Sequence, residues 1–192
     1  NNNGIVRIYF VGRCIYMKGI DILIKALEKI DCNKWELNII GDGEYKDELI
    51  NLTKQLGLKD NINFHGRLTN KETISMLSNA DLLVLPSRKK EGWGAVINEA
   101  LMSGVPVICS DKCGASIMFK NNNYGEVFKS ESIEDLRRIL NKKITEGISS
   151  EEFVAIKKWS KCISGSNAAE YIIKIIDNIN LGSNDKPLPP WE

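Results

Sequence analysis

Arg13 and Lys18 lie in the stretch "GRCIYMKG", and Glu91 and Glu99 stand eight residues apart in "EGWGAVINEALM". Two cations between the end of a strand pattern and the start of a helix pattern can converge on one anion. A diphosphate suits them, because it needs charge neutralisation and several donors. Gly92 and Gly94, around a helix start, let backbone N–H groups come close to a phosphate, and Trp93 between them offers an apolar wall. A carboxylate such as Glu91 accepts hydrogen bonds from sugar hydroxyls, which discriminate strongly when buried. If the stretch were fully helical, Glu91 and Glu99 would be no more than about 12 Å apart, comparable to the span from a sugar across a diphosphate to a ribose. Each residue also has a plainer reading. Arg13 and Lys18 could be solvated cations, Glu91 a first-turn acid stabilised by the helix dipole with only Lys89 and Lys90 as nearby counter-ions, and Glu99 a solvent-facing acid or a half-buried one with a partner.

The elements that must position these residues alternate along the chain. Strand patterns at 5–11, 35–40, 61–64, 81–85, 105–109 and 126–128 are β-branched or near-continuously apolar,. Helical spacing is found at 18–30, 44–56, 70–79, 91–102 and 132–143, the last capped by Ser132, and again at 151–162 and 167–178,. This alternation predicts an α/β domain with a doubly wound, Rossmann-like parallel sheet over 5–180, flanked by a linker at 1–4 and an extended, proline-containing tail at 181–192 that leaves the surface. Ligands collect at the carboxyl ends of such strands, which selects the loops 12–18, 41–44, 65–70, 87–94 and 110–116. "GDGEYK" lacks a third glycine and argues against a nicotinamide dinucleotide,.

Of the 192 residues, 26 are Lys or Arg and 25 Asp or Glu, so no bulk field recommends nucleic acid as a partner,. There is no transmembrane-length apolar run and no secretory signal pattern, so the expected location is cytoplasmic. Five scattered cysteines with a single histidine suit neither a disulfide framework nor a zinc site,. Cys109 and Cys113 read as reduced thiols, and His65 as a strand-end residue. The opening Asn-Asn-Asn-Gly, without Met, predicts a piece of a longer protein,.

Taken in order and spacing, "GRCIYMKGIDILIKAL", "ELNIIGDGEYKDELINL" and "INFHGRLTNKETISMLSNADLLVLPSRKKEGWGAVINEALMSGVPVICSD" resemble the C-terminal donor-binding domain of GT-B glycosyltransferases of the retaining family 4 type. The resemblance covers about residues 5–145. It implies that Arg13 and Lys18 bind the donor diphosphate and support its departure, and that Glu91 meets hydroxyls of the transferred sugar. It places Gly12, Gly92, Trp93 and Gly94 at the donor sugar and phosphates and Glu99 on the ribose hydroxyls. Gly66, Arg67 and Leu68 match the turn that lines the nucleobase.

There is no Asp-x-Asp element, so the resemblance implies transfer without metal or other cofactor, with cations and a helix terminus stabilising the leaving group. Retention is expected to proceed by attack on the leaving-group face, with a phosphate oxygen as base. Cys113-Gly114-Ala115-Ser116 keeps the small residues of the family's loop after the fifth strand but no carboxylate. The expected donor is a UDP-sugar carrying a hexose, and the expected partner is an N-terminal acceptor domain of the same chain, without which the fragment binds donor weakly and transfers little. Trp93 with Asn98 suggests a subgroup that acts on cell-surface polysaccharide or lipid-linked glycans at the cytoplasmic membrane face. The alternatives are a non-catalytic nucleotide-binding or interaction module on the same fold, and the donor domain of a glycogen- or sucrose-type synthase.

Overall fold

The apolar runs pair into one sheet of six parallel strands: β1 (Val6–Val11), β2 (Trp35–Ile40), β3 (Ile62–Gly66), β4 (Leu82–Leu85), β5 (Val107–Ser110) and β6 (Gly125–Phe128). The structure is a computed structural model that describes residues 4–89, 91–120, 123–182 and 186–192. Lys90, residues 1–3 of the expected linker and residues 183–185 of the tail lie outside these. The strand order is β3-β2-β1-β4-β5-β6, with every pair parallel. β1 and β4 are thus neighbours although they are far apart in sequence. Between them the winding reverses, and the loops that leave their carboxyl ends diverge to form a crevice. The loop after β1 carries Arg13 and Lys18, and the loop after β4 carries Glu91.

Helices cover the sheet. The first five are α1 (Ile20–Leu27), α2 (Lys46–Gln55), α3 (Asn70–Leu77), α4 (Ala95–Met102) and α5 (Ile133–Glu146), followed by α6 (Ser150–Trp159) and α7 (Gly165–Asn180). Ile8, Phe10, Leu37, Ile39, Leu83 and Ile108 are fully inaccessible in the sheet, as are Leu23, Ile24 and Leu27 of α1. α5 lies against α1. Its Arg137 donates to the Ala26 and Lys25 carbonyl oxygens at 3.2 and 3.1 Å, capping the last turn of α1 from outside,. Ser132 caps α5 as its residue type predicts, its hydroxyl accepting from the Asp135 amide. Ser132→Ala is expected to lower stability by about 1 kcal/mol, visible as a lower midpoint in urea unfolding.

Several boundaries differ from the sequence expectation. Lys18 ends a short 3₁₀ turn, Tyr16–Lys18, and α1 begins only after Gly19. The helix expected from residue 91 begins at Ala95 with Gly94 as its cap, so Glu91 is not a first-turn acid and the helical 12 Å bound on its distance to Glu99 does not apply. β5 starts at Val107, beyond Pro106, which has no N–H to donate to a ladder,. The helix expected to run to residue 162 stops at Trp159, whose ring stacks on Tyr124 at 4.9 Å, and a 3₁₀ turn, Ser160–Ile163, follows. A further 3₁₀ segment, Gly114–Phe119, occupies what reads as a loop.

Candidate functional site

At the end of β1 the chain is stitched to the end of β2. The Gly12 amide donates to the Ile40 carbonyl at 3.0 Å, the Cys14 amide to Asp42 at 3.0 Å, and the Tyr45 amide to Cys14 at 2.9 Å. Cys14 is thereby buried, and Arg13, one residue earlier, is exposed. With Gly12, Asp42, Arg67, Leu68 and Thr73, Arg13 lines a cleft of about 390 Å³. The structure thus brings four of the sequence-predicted residues, Gly12, Arg13, Arg67 and Leu68, to one cavity.

Lys18 reaches across the crevice. Its ammonium lies 2.7 Å from both carboxylate oxygens of Glu91, and the Ser87 hydroxyl donates to Glu91 Oε2 at 2.8 Å. Burial by itself would raise the Glu91 pKa. The hydrogen bonds from Lys18 and Ser87 and the charges of Lys18 and Arg13 outweigh it and hold the carboxyl below its ordinary value,. Glu91 therefore takes its counter-ion from a loop 73 residues away.

The backbone that follows Glu91 is held by the loop after β5. The Glu91 amide donates to the Lys112 carbonyl, and Gly92 and Trp93 accept through their carbonyls from the amides of Gly114 and Ala115. The N–H groups of Gly92, Trp93 and Gly94 find no acceptor among the described residues. They stand just before the first turn of α4, whose dipole adds positive character there. A second cleft of about 650 Å³ is lined by Glu91, Gly92, Asp111, Lys112, Cys113 and Gly114.

The Trp93 ring is turned toward α4 and the tail. Its indole N–H donates to Asn98 at 3.0 Å and its ring meets Trp191 at 5.7 Å. The tail expected to leave the surface is tied down there, and the Tyr171 hydroxyl donates to the Pro187 carbonyl. Glu99, the residue after Asn98 in α4, is half-buried, and its carboxylate has no partner among the described residues. His65 is bonded to Asn38 at 2.8 Å on the β2–β3 side of the sheet.

Residue types missed Ser87, Arg88 and Asp21. Asp21 offered a signal, since an acid within "GIDILIKAL" must be exposed or paired. It is buried, and Arg88 grips it with a bidentate pair at 2.6 and 2.7 Å. Burial pushes the Asp21 carboxyl up, but Arg88 and Lys25 pull it lower still, to below its usual value. Asp21 and Glu91 both have folded pKa values below their unfolded ones. Their contribution to stability is thus complete above the ordinary carboxylate range, about pH 4 to 5, and is lost as pH falls through the depressed values. Thermal midpoints are expected to hold steady from pH 7 to about 5 and to fall below about pH 4, with a shallower fall in Glu91→Gln.

Residues 2–159 match the family model described as glycosyl transferases group 1. The chain belongs to that family. A GDP-mannose-dependent alpha-(1-6)-phosphatidylinositol monomannoside mannosyltransferase of Mycobacterium tuberculosis is 31% identical over 132 residues, 65% of this chain and 34% of that protein. The Anabaena protein Alr3699/HepE, solved in complex with UDP-glucose, has a TM-score of 0.72 at 26% identity, covering 86% of this chain and 45% of that one. The C-terminal domain of a glycosyl transferase group 1 family protein (LpcC) of Francisella tularensis has a TM-score of 0.69 at 25% identity, covering 79% of this chain and 80% of that one. The family's fold is thus that of a C-terminal GT-B domain. The chain spans less than half the length of the curated relatives it matches.

Proposed function

We propose that this group 1 family domain is the donor-binding half of a glycosyltransferase that uses a nucleotide sugar, a UDP-hexose by preference, and transfers the sugar with retention to a glycan or lipid-linked acceptor in cell-surface polysaccharide synthesis. The observation that carries the reading is the Lys18–Glu91 pair, which joins the two loops that flank the reversal point of the sheet. In this reading the diphosphate lies at the open N–H groups of residues 92–94 and draws on the charges of Arg13 and Lys18. As the glycosidic bond breaks, negative charge grows on the departing phosphate, and cations and dipoles already in place stabilise it without reorganisation. Glu91, kept ionised by Lys18 and Ser87, accepts from hydroxyls of the transferred sugar. Glu99, half-buried and unpartnered among the described residues, accepts from the ribose, and Arg67 with Leu68 lines the nucleobase end. No divalent metal is required in this scheme, because the two cations do its work.

An N-terminal acceptor domain of the same protein completes the site. Supporting this, α7 buries no residue and exposes Ile172, Ile173, Ile176 and Ile179, an apolar face of the kind that another domain covers,. Without that domain we expect weak donor binding and little transfer.

Calorimetric titration of the chain with UDP, GDP and ADP, in EDTA and again in magnesium, tests the reading. Saturable UDP binding in EDTA that disappears in Arg13→Ala and Glu99→Ala is expected. No binding of any of the three would remove the donor-site reading, and binding only with magnesium would remove the metal-free scheme. Tighter binding of GDP than UDP would reassign the donor.

A further inference from the structure

We propose that Arg88 is a positioning residue that holds the 3₁₀ turn Tyr16–Lys18, and with it the Lys18 ammonium, in register with Glu91. The proposal deepens the donor-site reading and rests on it for its consequence in binding. Arg88 lies three residues before Glu91, yet most of its contacts are with the opposite loop. Its backbone amide donates to the Met17 carbonyl at 2.9 Å, and Nη1 donates to the Tyr16 carbonyl at 2.8 Å. Its guanidinium carbon sits 4.0 Å from the centre of the Tyr16 ring, and both Nη atoms grip Asp21 at the start of α1. One planar group thus fixes the turn from its carbonyl, its ring and the helix that follows it.

Elsewhere the turn is met by a ring contact, Tyr16 edge-on to Tyr45 at 5.7 Å, which does not reach Lys18. Among the described residues, the hydrogen bonds that link Tyr16–Lys18 to the chain beyond α1 are those of Arg88 and of Glu91 itself. The Arg88 backbone is in turn anchored, since the Ser130 hydroxyl donates to its carbonyl at 3.0 Å. Arg88 and Asp21 side chains are only 9% and 4% exposed, so solvent does not compete for the pairing. Lysine cannot replace this arrangement. A single ammonium has the charge but not the rigid fork that spans Asp21 and a carbonyl while stacking on a ring.

The test is a double-mutant cycle on UDP binding, with Lys18→Ala and Arg88→Lys alone and together, alongside thermal melts. Arg88→Lys is expected to fold, to weaken UDP binding about 5- to 20-fold, and to reduce the Lys18→Ala penalty to less than about 3-fold, because Lys18 is then already displaced. A purely structural Arg88 would leave the Lys18→Ala penalty unchanged, and that result overturns the proposal. A second readout needs no nucleotide: the Glu91 carboxyl, faced by Lys18, Ser87, Arg13 and the Cys113 thiol, is followed by ¹³C NMR titration. Its pKa is expected to rise toward the ordinary value in Arg88→Lys, and an unchanged titration also overturns the proposal. If the parent chain binds no nucleotide while this rise is seen, the donor reading fails and the positioning role stands. Should Arg88→Lys not fold, Tyr16→Leu at a 54% exposed position replaces it. It is expected to weaken UDP binding about 2- to 5-fold with the same rise in the Glu91 pKa, and no change in either measurement overturns the proposal.

Discussion

Replacing Lys18 by alanine is expected to weaken UDP binding about 10- to 100-fold, the equivalent of roughly 1.5 to 3 kcal/mol for one hydrogen bond to a charged group. Two effects add. The substitution removes a cation 2.7 Å from Glu91, and it leaves that carboxylate, half-buried beside the open amides of residues 92–94, as an unneutralised negative charge facing the diphosphate. The contrasting variant is Glu91→Gln. The amide removes the negative charge and frees Lys18, so UDP affinity is expected to stay within a few-fold of the parent or to tighten. The added affinity for a UDP-sugar over UDP is expected to fall, because that increment depends on Glu91. Titration calorimetry of both variants with UDP and UDP-glucose checks the pattern. Equal weakening of UDP by the two substitutions would contradict it.

Gly41→Ala is expected to be the most damaging small substitution in the site's scaffold. Gly41 has φ +138°, and a Cβ built there would lie 1.8 Å from the Gly12 carbonyl oxygen. The obstacle is backbone, so no side chain can swing away to accommodate it. Either the loop after β1 separates from the loop after β2, breaking the Gly12–Ile40, Cys14–Asp42 and Gly41–Gly66 hydrogen bonds, or the residue changes conformation and the strand ends shift. A loss of about 3 to 5 kcal/mol is expected, and the melting midpoint should fall by roughly 10 °C or more. Gly57→Ala is the control. Gly57 also has positive φ, +71°, but nothing lies within 4 Å of a Cβ there, so only about 1 kcal/mol of backbone strain is expected,. Similar losses in the two variants would mean that close approach of the loops is not what Gly41 provides.

Most of the fold was legible because parallel sheets bury their strands on both faces and so write near-continuous apolar runs into the chain. "VRIYFV", "LLVL" and "VICS" needed only to be found between helical periodicities. The helix starts were less legible. Residues 16–19 and 91–94 are held by hydrogen bonds from elsewhere in the fold, and local periodicity carries no record of those. The same holds for the tail: its prolines predict extended chain, but that Trp191 comes to rest on Trp93 depends on where α7 delivers it.

Taken alone, the amino-acid sequence determined the class of fold, the six strands and the loops at their carboxyl ends, since periodicity and turn residues are local properties. It also singled out Arg13, Lys18, Glu91 and Glu99, through charge set against glycine and apolar neighbours. Only the tertiary structure decided the pairings. That Lys18 neutralises Glu91 and that Arg88 binds Asp21 and the turn bearing Lys18 both follow from β1 lying beside β4. The physical reason is that charge pairing depends on distance in space. The parallel order of the strands brings together side chains that the chain itself separates by 67 to 73 residues.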